Sequence, residues 1–190
     1  EKNLTKIPFL QHLSSLKQMV KEISEALRKK VDYSFQGDDF FMDDKTFKLL
    51  NDSIIHIIRN SIDHGIELDR TGKKERGLIN IFCEQTKEHY KISIKDDGKG
   101  IDGNNISKLA VDKKLIGLQK AFELSEEEKI NLIFLPGFSS SENVNDISGR
   151  GIGMDVVKNN IQKMGGDIKV KTTKNKGSEF LIRFPKEKVG

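Results

Sequence analysis

Residues 56–67 read His56-Ile57-Ile58-Arg59-Asn60-Ser61-Ile62-Asp63-His64-Gly65-Ile66-Glu67. Upstream of this run, Phe47, Leu50, Ile54, Ile58 and Ile62 recur at helical spacing. They predict an amphipathic helix over 44–63, with Asp43 or Asp44 as its cap and His64-Gly65 as its stop. At about 100° per residue with His56 as origin, Asn60 lies near ~40°, His64 near ~80° and Asp63 near ~−20°. Phe47, Ile54 and Ile58 lie at about 180°, 160° and 200°, on the opposite side. A solvated helix face usually carries Lys and Glu. Two His, an Asn and an Asp followed by Gly instead suggest a face that binds something.

Working outward, the apolar stripe of Leu10, Leu13, Leu16, Val20, Ile23 and Leu27 predicts an entry helix within 4–30, with Pro8 in its first turns or ending a shorter one. Val31, Tyr33 and Phe35 alternate with polar residues and predict a strand that Phe40-Phe41-Met42 would continue. A polar loop over 67–77 leads to two strand-like runs, 78–83 and 90–95. Helical signals follow around 106–115 and 125–132, and Pro136-Gly137 breaks the chain. The Ser- and Asn-rich stretch 138–148 reads as a mobile loop. A helix over about 151–164 and strands over 167–172 and 179–184 close the domain, and no internal repeat is visible. About six strands, the last four paired through short or polar connections, favour an α+β two-layer sandwich: a mixed sheet with helices on one face. A doubly wound fold would place its glycine loop after an early strand, whereas here the glycines come late.

The chain has 190 residues, enough for one core. Its 35% hydrophobic and 33% charged residues describe a globular domain with a charged surface. The longest uncharged stretch, 130–141, is 12 residues, well short of the roughly 20 apolar residues of a spanning helix, so no direct membrane insertion is expected. No secretory signal is evident, and the absence of an initiator Met suggests an excised piece. A single cysteine, Cys83, forms no internal disulfide and suits a reducing, cytoplasmic setting; inside an apolar strand it reads as a packed core thiol. The net charge of +4 is spread over scattered basic residues and there is no Trp, which gives nucleic-acid binding little support.

Two further segments carry chemistry. Asp96-Asp97-Gly98-Lys99-Gly100-Ile101 follows a strand directly. An acid at a strand end can accept a hydrogen bond from an exocyclic amine while glycines let the backbone approach a ring, though an ordinary Asp-Gly turn reads the same way. Gly149-Arg150-Gly151-Ile152-Gly153-Met154 stands just before a helix, where free N–H groups attract phosphate. It lacks the Lys-Ser/Thr ending of a P-loop.

In this order, with Gly177-Ser178 before the last strand, these segments resemble the nucleotide boxes of the GHKL ATPase superfamily of histidine kinases, Hsp90, MutL and type II topoisomerases. Within it, 44–185 most resembles the ATP-binding catalytic domain of CheA-like chemotaxis histidine kinases. Residues 56–67 look like its N box, Asp96 to Asp102 its first glycine box, Phe134-Leu135-Pro136-Gly137-Phe138-Ser139 its F box, and Gly149 to Val157 its second glycine box. Residues 1–30 resemble, more loosely, the end of a dimerisation helix or linker, with the ATP-binding domain over 31–190.

The resemblance implies an enzyme, a protein histidine kinase, that binds Mg-ATP between the Asn helix and a lid over about 136–148. Asn60 would ligate Mg²⁺ and His56 would sit by the γ-phosphate as a polarising group or proton acceptor. Asp96 would read the adenine amine beside Gly98 and Gly100, and Asp63 and His64 would line the nucleotide. Gly149, Arg150, Gly151, Ile152, Gly153 and Met154 would line the triphosphate, Phe134 and Phe138 would pack beneath the lid, and Gly177-Ser178 would close the far wall. The implied partners are a phosphoacceptor histidine domain, response regulators, and a chemoreceptor and coupling protein reached through other regions, in a full-length homodimer. The alternatives are an ATP-binding regulatory module without phosphotransfer and a GHKL ATPase. The chain departs from the family's pattern in two places. The entry helix carries His12, Lys17 and Lys21 in place of an Arg-rich pattern, and Leu109, next to Lys108, stands where a basic residue is common. His12 lacks the residues that follow a sensor-kinase acceptor and reads as a helix surface residue.

Overall fold

The computed structural model describes residues 8–139 and 153–186. Five strands form one mixed sheet: β1 (Val31–Gly37), β2 (Gly77–Gln85), β3 (His89–Asp96), β4 (Asp167–Thr173) and β5 (Gly177–Pro185), in the order β1-β2-β3-β5-β4. β1 and β2 are parallel, because α2 (Asp44–Asn60) lies in the connection between them; the other neighbours are antiparallel. Period-two alternation puts Ile79, Ile81 and Cys83 of β2, Ile92 and Ile94 of β3, and Phe180, Ile182 and Phe184 of β5 into the core. The other face exposes Phe82, Lys91, Lys95 and Arg183 to solvent.

The helices cover the apolar face. α1 (Phe9–Ala26) buries Phe9, Leu13, Leu16 and Val20, α2 buries Leu50, Ile54, Ile57 and Ile58, and α6 (Met154–Lys163) buries Met154, Val157 and Ile161. Asp43 caps α2 by accepting from the Lys45 and Thr46 N–H groups at 3.0 and 3.1 Å. Asp102 does the same for α3 (Gly103–Asp112). α4 (Leu118–Glu123), α5 (Glu126–Asn131) and a 3₁₀ turn at Leu132–Phe134 complete the layer, with α5 started by a Ser125/Glu128 capping box.

Among the described residues there are five strands rather than about six, since residues 40–42 do not extend β1. Instead Phe40 is buried, with its ring stacked between Phe9 at 4.7 Å and Tyr90 at 4.4 Å. Burying two aromatic faces outweighs an unpartnered edge extension. α1 is shorter than the sequence suggests, with Pro8 at its N-cap. His12 is not a free surface residue: its Nε2 lies 2.7 Å from Asn51 Oδ1 and its ring meets the Phe47 ring edge-on, joining α1 to α2.

Candidate functional site

Asp96 is the last residue of β3, on the inward face that carries Ile92 and Ile94, so strand geometry buries a carboxylate under the end of the Asn helix. Three donors meet it. The Ser61 hydroxyl donates to Oδ2 at 3.0 Å, and the Gly98 and Ser178 N–H groups donate to Oδ1 at 2.9 and 3.4 Å. Burial pushes the Asp96 carboxyl above its ordinary pKa, opposed by these same hydrogen bonds.

The wall around it is built from close backbone approaches. A Cβ on Gly98 would lie 2.2 Å from the Gly65 carbonyl oxygen, and one on Gly177, at φ +104, 1.9 Å from the Asp96 carbonyl oxygen. Gly100, at φ +76, brings its turn against Thr172 and Thr173, and the Thr172 hydroxyl accepts the Ile101 N–H at 2.8 Å. The polar loop after the Asn helix is tied to this turn. Arg70, nearly inaccessible, donates to Glu67 at 2.9 Å and Asp97 at 2.7 Å, and Lys73 donates to the carbonyls of Asp97 and Gly98 at 3.2 and 2.7 Å.

The second cluster lies on α2 and α6. Asn60 Nδ2 is 3.1 Å from His56 Nε2 and 3.4 Å from Met154 Sδ. A thioether can only accept, so the amide nitrogen faces it, His56 Nε2 takes the acceptor tautomer, and the amide oxygen is directed away. Burial, reinforced by the Arg59 charge and opposed by Asp155, pushes His56 below its ordinary pKa and keeps it neutral near pH 7. Met154 opens α6, and no side chain among the described residues caps the helix at Gly153. Phe134 is buried with Lys158 of α6 over its ring at 5.6 Å. Phe138 is buried beneath Lys113, whose Nζ donates to the Phe138 carbonyl at 2.6 Å.

Of the site residues read from the sequence, the fold joins His56, Asn60 and Met154 in one cluster and Asp96, Gly98, Gly177 and Ser178 in another. Asp63 and His64 point to solvent and pair with each other at 3.4 Å. They lie in a π-turn at Ser61–Gly65, closed by the Ile66 N–H donating to the Ser61 carbonyl at 2.7 Å, which departs from the 3.6-residue period assumed for the helix. Gly149, Arg150, Gly151 and Ile152 lie outside the described residues. Ser61, Arg70 and Thr172 escaped the sequence reading, although the place of Ser61 beside the apolar stripe was a usable signal.

The donor chemistry fits an adenine nucleotide. A buried carboxylate backed by glycines suits the base, and an oriented amide with a neutral imidazole beside the start of α6 suits phosphates and their cation. With this sheet order and these clusters, the chain belongs to the family of histidine kinase-, DNA gyrase B- and HSP90-like ATPases, which residues 50–188 match. Within that family it is similar to the chemotaxis protein CheA of Bacillus subtilis, at 35% identity over 187 residues that cover 96% of this chain and 28% of that protein. It is also similar to the sensor histidine kinase CheAY of Helicobacter pylori, at 37% over 171 residues covering 88% and 21%. The chain thus spans under a third of these relatives' length. The fold matches the catalytic domain of histidine kinase ThkA with a TM-score of 0.61 at 18% identity, covering 98% of this chain and 96% of that one. The mycobacterial sensor histidine kinase MprB gives 0.61 at 15%, covering 97% of each. Among the described residues, no helix is long and apolar enough to cross a membrane.

Proposed function

We propose that this chain is the ATP-binding catalytic domain of a CheA-like protein histidine kinase, which binds Mg-ATP and presents the γ-phosphate to a histidine on a separate phosphoacceptor domain. The observation that carries this reading is the convergence on Asp96. A buried carboxylate held by Ser61, Gly98 and Ser178 is an acceptor fixed in place for the adenine amine, with Gly98 and Gly100 letting the backbone lie against the ring.

At the other end the Asn60 amide oxygen would hold Mg²⁺, which when bound would supply charge neutralisation at the phosphates. His56 orients that amide through Nε2 and, being neutral, can accept a proton or polarise the reacting phosphate. Gly149, Arg150, Gly151 and Ile152 precede the α6 start at Gly153 and Met154 and supply the triphosphate wall. Phe134 and Phe138 would pack beneath a lid over about 136–148, of which 140–148 lie outside the described residues, and Asp63 and His64 sit at the rim. In the transfer, an acceptor imidazole nitrogen bonds to phosphorus as the bond to the β–γ bridging oxygen breaks and ADP leaves. The domain's contribution is positioning and charge stabilisation. Residues 1–30 are read as the end of a dimerisation helix or linker and 31–190 as the ATP-binding domain. Response regulators, a chemoreceptor and a coupling protein are engaged through regions outside this chain, in a cytoplasmic homodimer.

Calorimetric titration of the 190-residue chain with a nonhydrolysable ATP analogue, with and without Mg²⁺, tests the reading. Asp96→Asn is expected to weaken binding on the order of 100-fold, because it replaces an ionised acceptor and turns an amide donor toward other donors. Asn60→Ala is expected to abolish the Mg²⁺-dependent increment. Absence of binding by the unmutated chain would defeat the proposal. With binding established, an acceptor domain supplied at high concentration or tethered should become phosphorylated.

A further inference from the structure

α1 ends in a Schellman turn. The Lys29 N–H donates to the Ser24 carbonyl at 2.8 Å and the Arg28 N–H to Glu25 at 3.0 Å, with Arg28 at φ 55 in the left-handed region. The Lys29 side chain then crosses to the far end of α2. Its Nζ donates to the carbonyls of Ile62 and Asp63, each at 2.6 Å. Both partners are main-chain oxygens of the π-turn Ser61–Gly65, at a helix end where carbonyls run out of intrahelical donors and a cation is favoured by the helix dipole.

That π-turn supports Asp96 at both its ends. Ser61, its first residue, donates to Asp96 Oδ2 at 3.0 Å. Gly65, its last, accepts the Lys99 N–H at 2.9 Å through the carbonyl against which Gly98 packs. A turn with i→i+5 bonding is not a shape that a helical sequence holds unaided, and such turns persist where the surroundings stabilise them. Lys29 supplies that support from an element 33 residues upstream of Ile62.

We infer that Lys29 is a positioning residue for the nucleotide site: its ammonium fixes the π-turn so that Ser61 and Gly65 hold Asp96 and Gly98 in register with the base. This inference rests on the nucleotide reading above. Partial burial lowers the Lys29 pKa while the Asp63 charge opposes the shift, as befits a cation whose hydrogen bonds are turned inward. The neighbouring Lys30, by contrast, is exposed and paired with exposed Glu75.

The test compares the unmutated 190-residue chain with Lys29→Met and Lys29→Gln, titrated with nonhydrolysable ATP and GTP analogues and melted without nucleotide. Lys29→Met is expected to raise the Kd for the ATP analogue about tenfold and to narrow the ATP-over-GTP preference, with Lys29→Gln in between. A purely structural role would lower the melting temperature and leave the base preference of the folded protein unchanged, and that result overturns the inference. If Lys29→Met does not fold, Lys29→Gln decides: a narrowed preference supports the role, and an unchanged one overturns it. Variants that bind like the unmutated chain overturn this inference alone. Failure of the unmutated chain to bind either analogue overturns the nucleotide reading, and the inference with it.

Discussion

The two ends of the candidate site are built on different physical plans. Around Asp96, carboxylate, hydroxyl and N–H groups are bonded to one another beneath the sheet, and Gly98 and Gly177 leave no room for even a methyl group. Around Asn60, the amide is held by an imidazole at 3.1 Å and a thioether at 3.4 Å, next to a helix start with no side-chain cap among the described residues. A thioether is a weak acceptor that a charged ligand readily displaces. On the proposed function, the Asp96 end, assigned to the base, is therefore preorganised, and the Asn60 end, assigned to the phosphates, is held by partners that can be exchanged. That division suits a ligand whose base must be recognised and whose phosphates must be released after reaction.

The largest effect that sharpens this contrast is expected at Gly177. Gly177→Ala combines a φ of +104 with a Cβ 1.9 Å from the Asp96 carbonyl oxygen, so it should destabilise the fold by roughly 4 kcal/mol, read as a fall in the urea midpoint. Gly72 provides the control. It also has a positive φ, +84, but nothing lies within 4 Å of its would-be Cβ, and Gly72→Ala should cost only about 1 kcal/mol. Equal costs at the two positions would show that the Asp96 wall is no tighter than an open loop. Next in size is Arg70→Met. Removing a guanidinium whose side chain is 4% exposed leaves Asp97 without its cation, while Lys73 still pairs with Glu67 at 2.6 Å, and should cost about 2 kcal/mol in a denaturant titration. Asp97 also accepts the Leu78 N–H at 2.8 Å, so loosening it should weaken ATP binding at the base end while leaving the Mg²⁺ increment at Asn60 intact. Loss of that increment would mean that the two ends do not act separately.

Much of the base end was legible because it depends on rules visible in the chain: alternation along 90–95, an acid at the strand end, glycines behind it. The π-turn was not. At about 100° per residue Ser61 falls near ~140°, beside the apolar stripe, and nothing in the residue types announces i→i+5 bonding. The same turn carries Asp63 and His64, which are exposed and lie 3.4 Å apart. Lys29 sat inside Arg28-Lys29-Lys30, a run that reads as solvated charge, and only the path of α1 separates it from its neighbours. Phe40 was misplaced for a related reason. A three-residue aromatic run satisfies a strand pattern, while the rings that bury it, Phe9 and Tyr90, come from distant elements.

The smallest expected effect is a pH dependence whose sign differs between the two ends. Burial lowers the pKa of His56, so in folding it gives up a proton that the unfolded chain holds below 6.5. Its contribution to stability is therefore present above 6.5 and lost as the pH falls through its folded value. Asp96 behaves oppositely. With a raised folded pKa, its contribution is full below its ordinary 3.8 and is lost as the pH rises through the folded value. Thermal melting of the nucleotide-free chain at a series of pH values, beside His56→Gln and Asp96→Asn, separates the two: His56→Gln should flatten the fall on the acid side of 6.5, and Asp96→Asn should remove the fall as the pH climbs from 3.8. A His56→Gln profile that still follows the unmutated chain below 6.5 would mean that the imidazole keeps its proton when folded. Below 6.5 Asn60 Nδ2 would then face a cation rather than an acceptor, and the exchangeable hydrogen bond assigned to the phosphate end would be confined to pH values above 6.5.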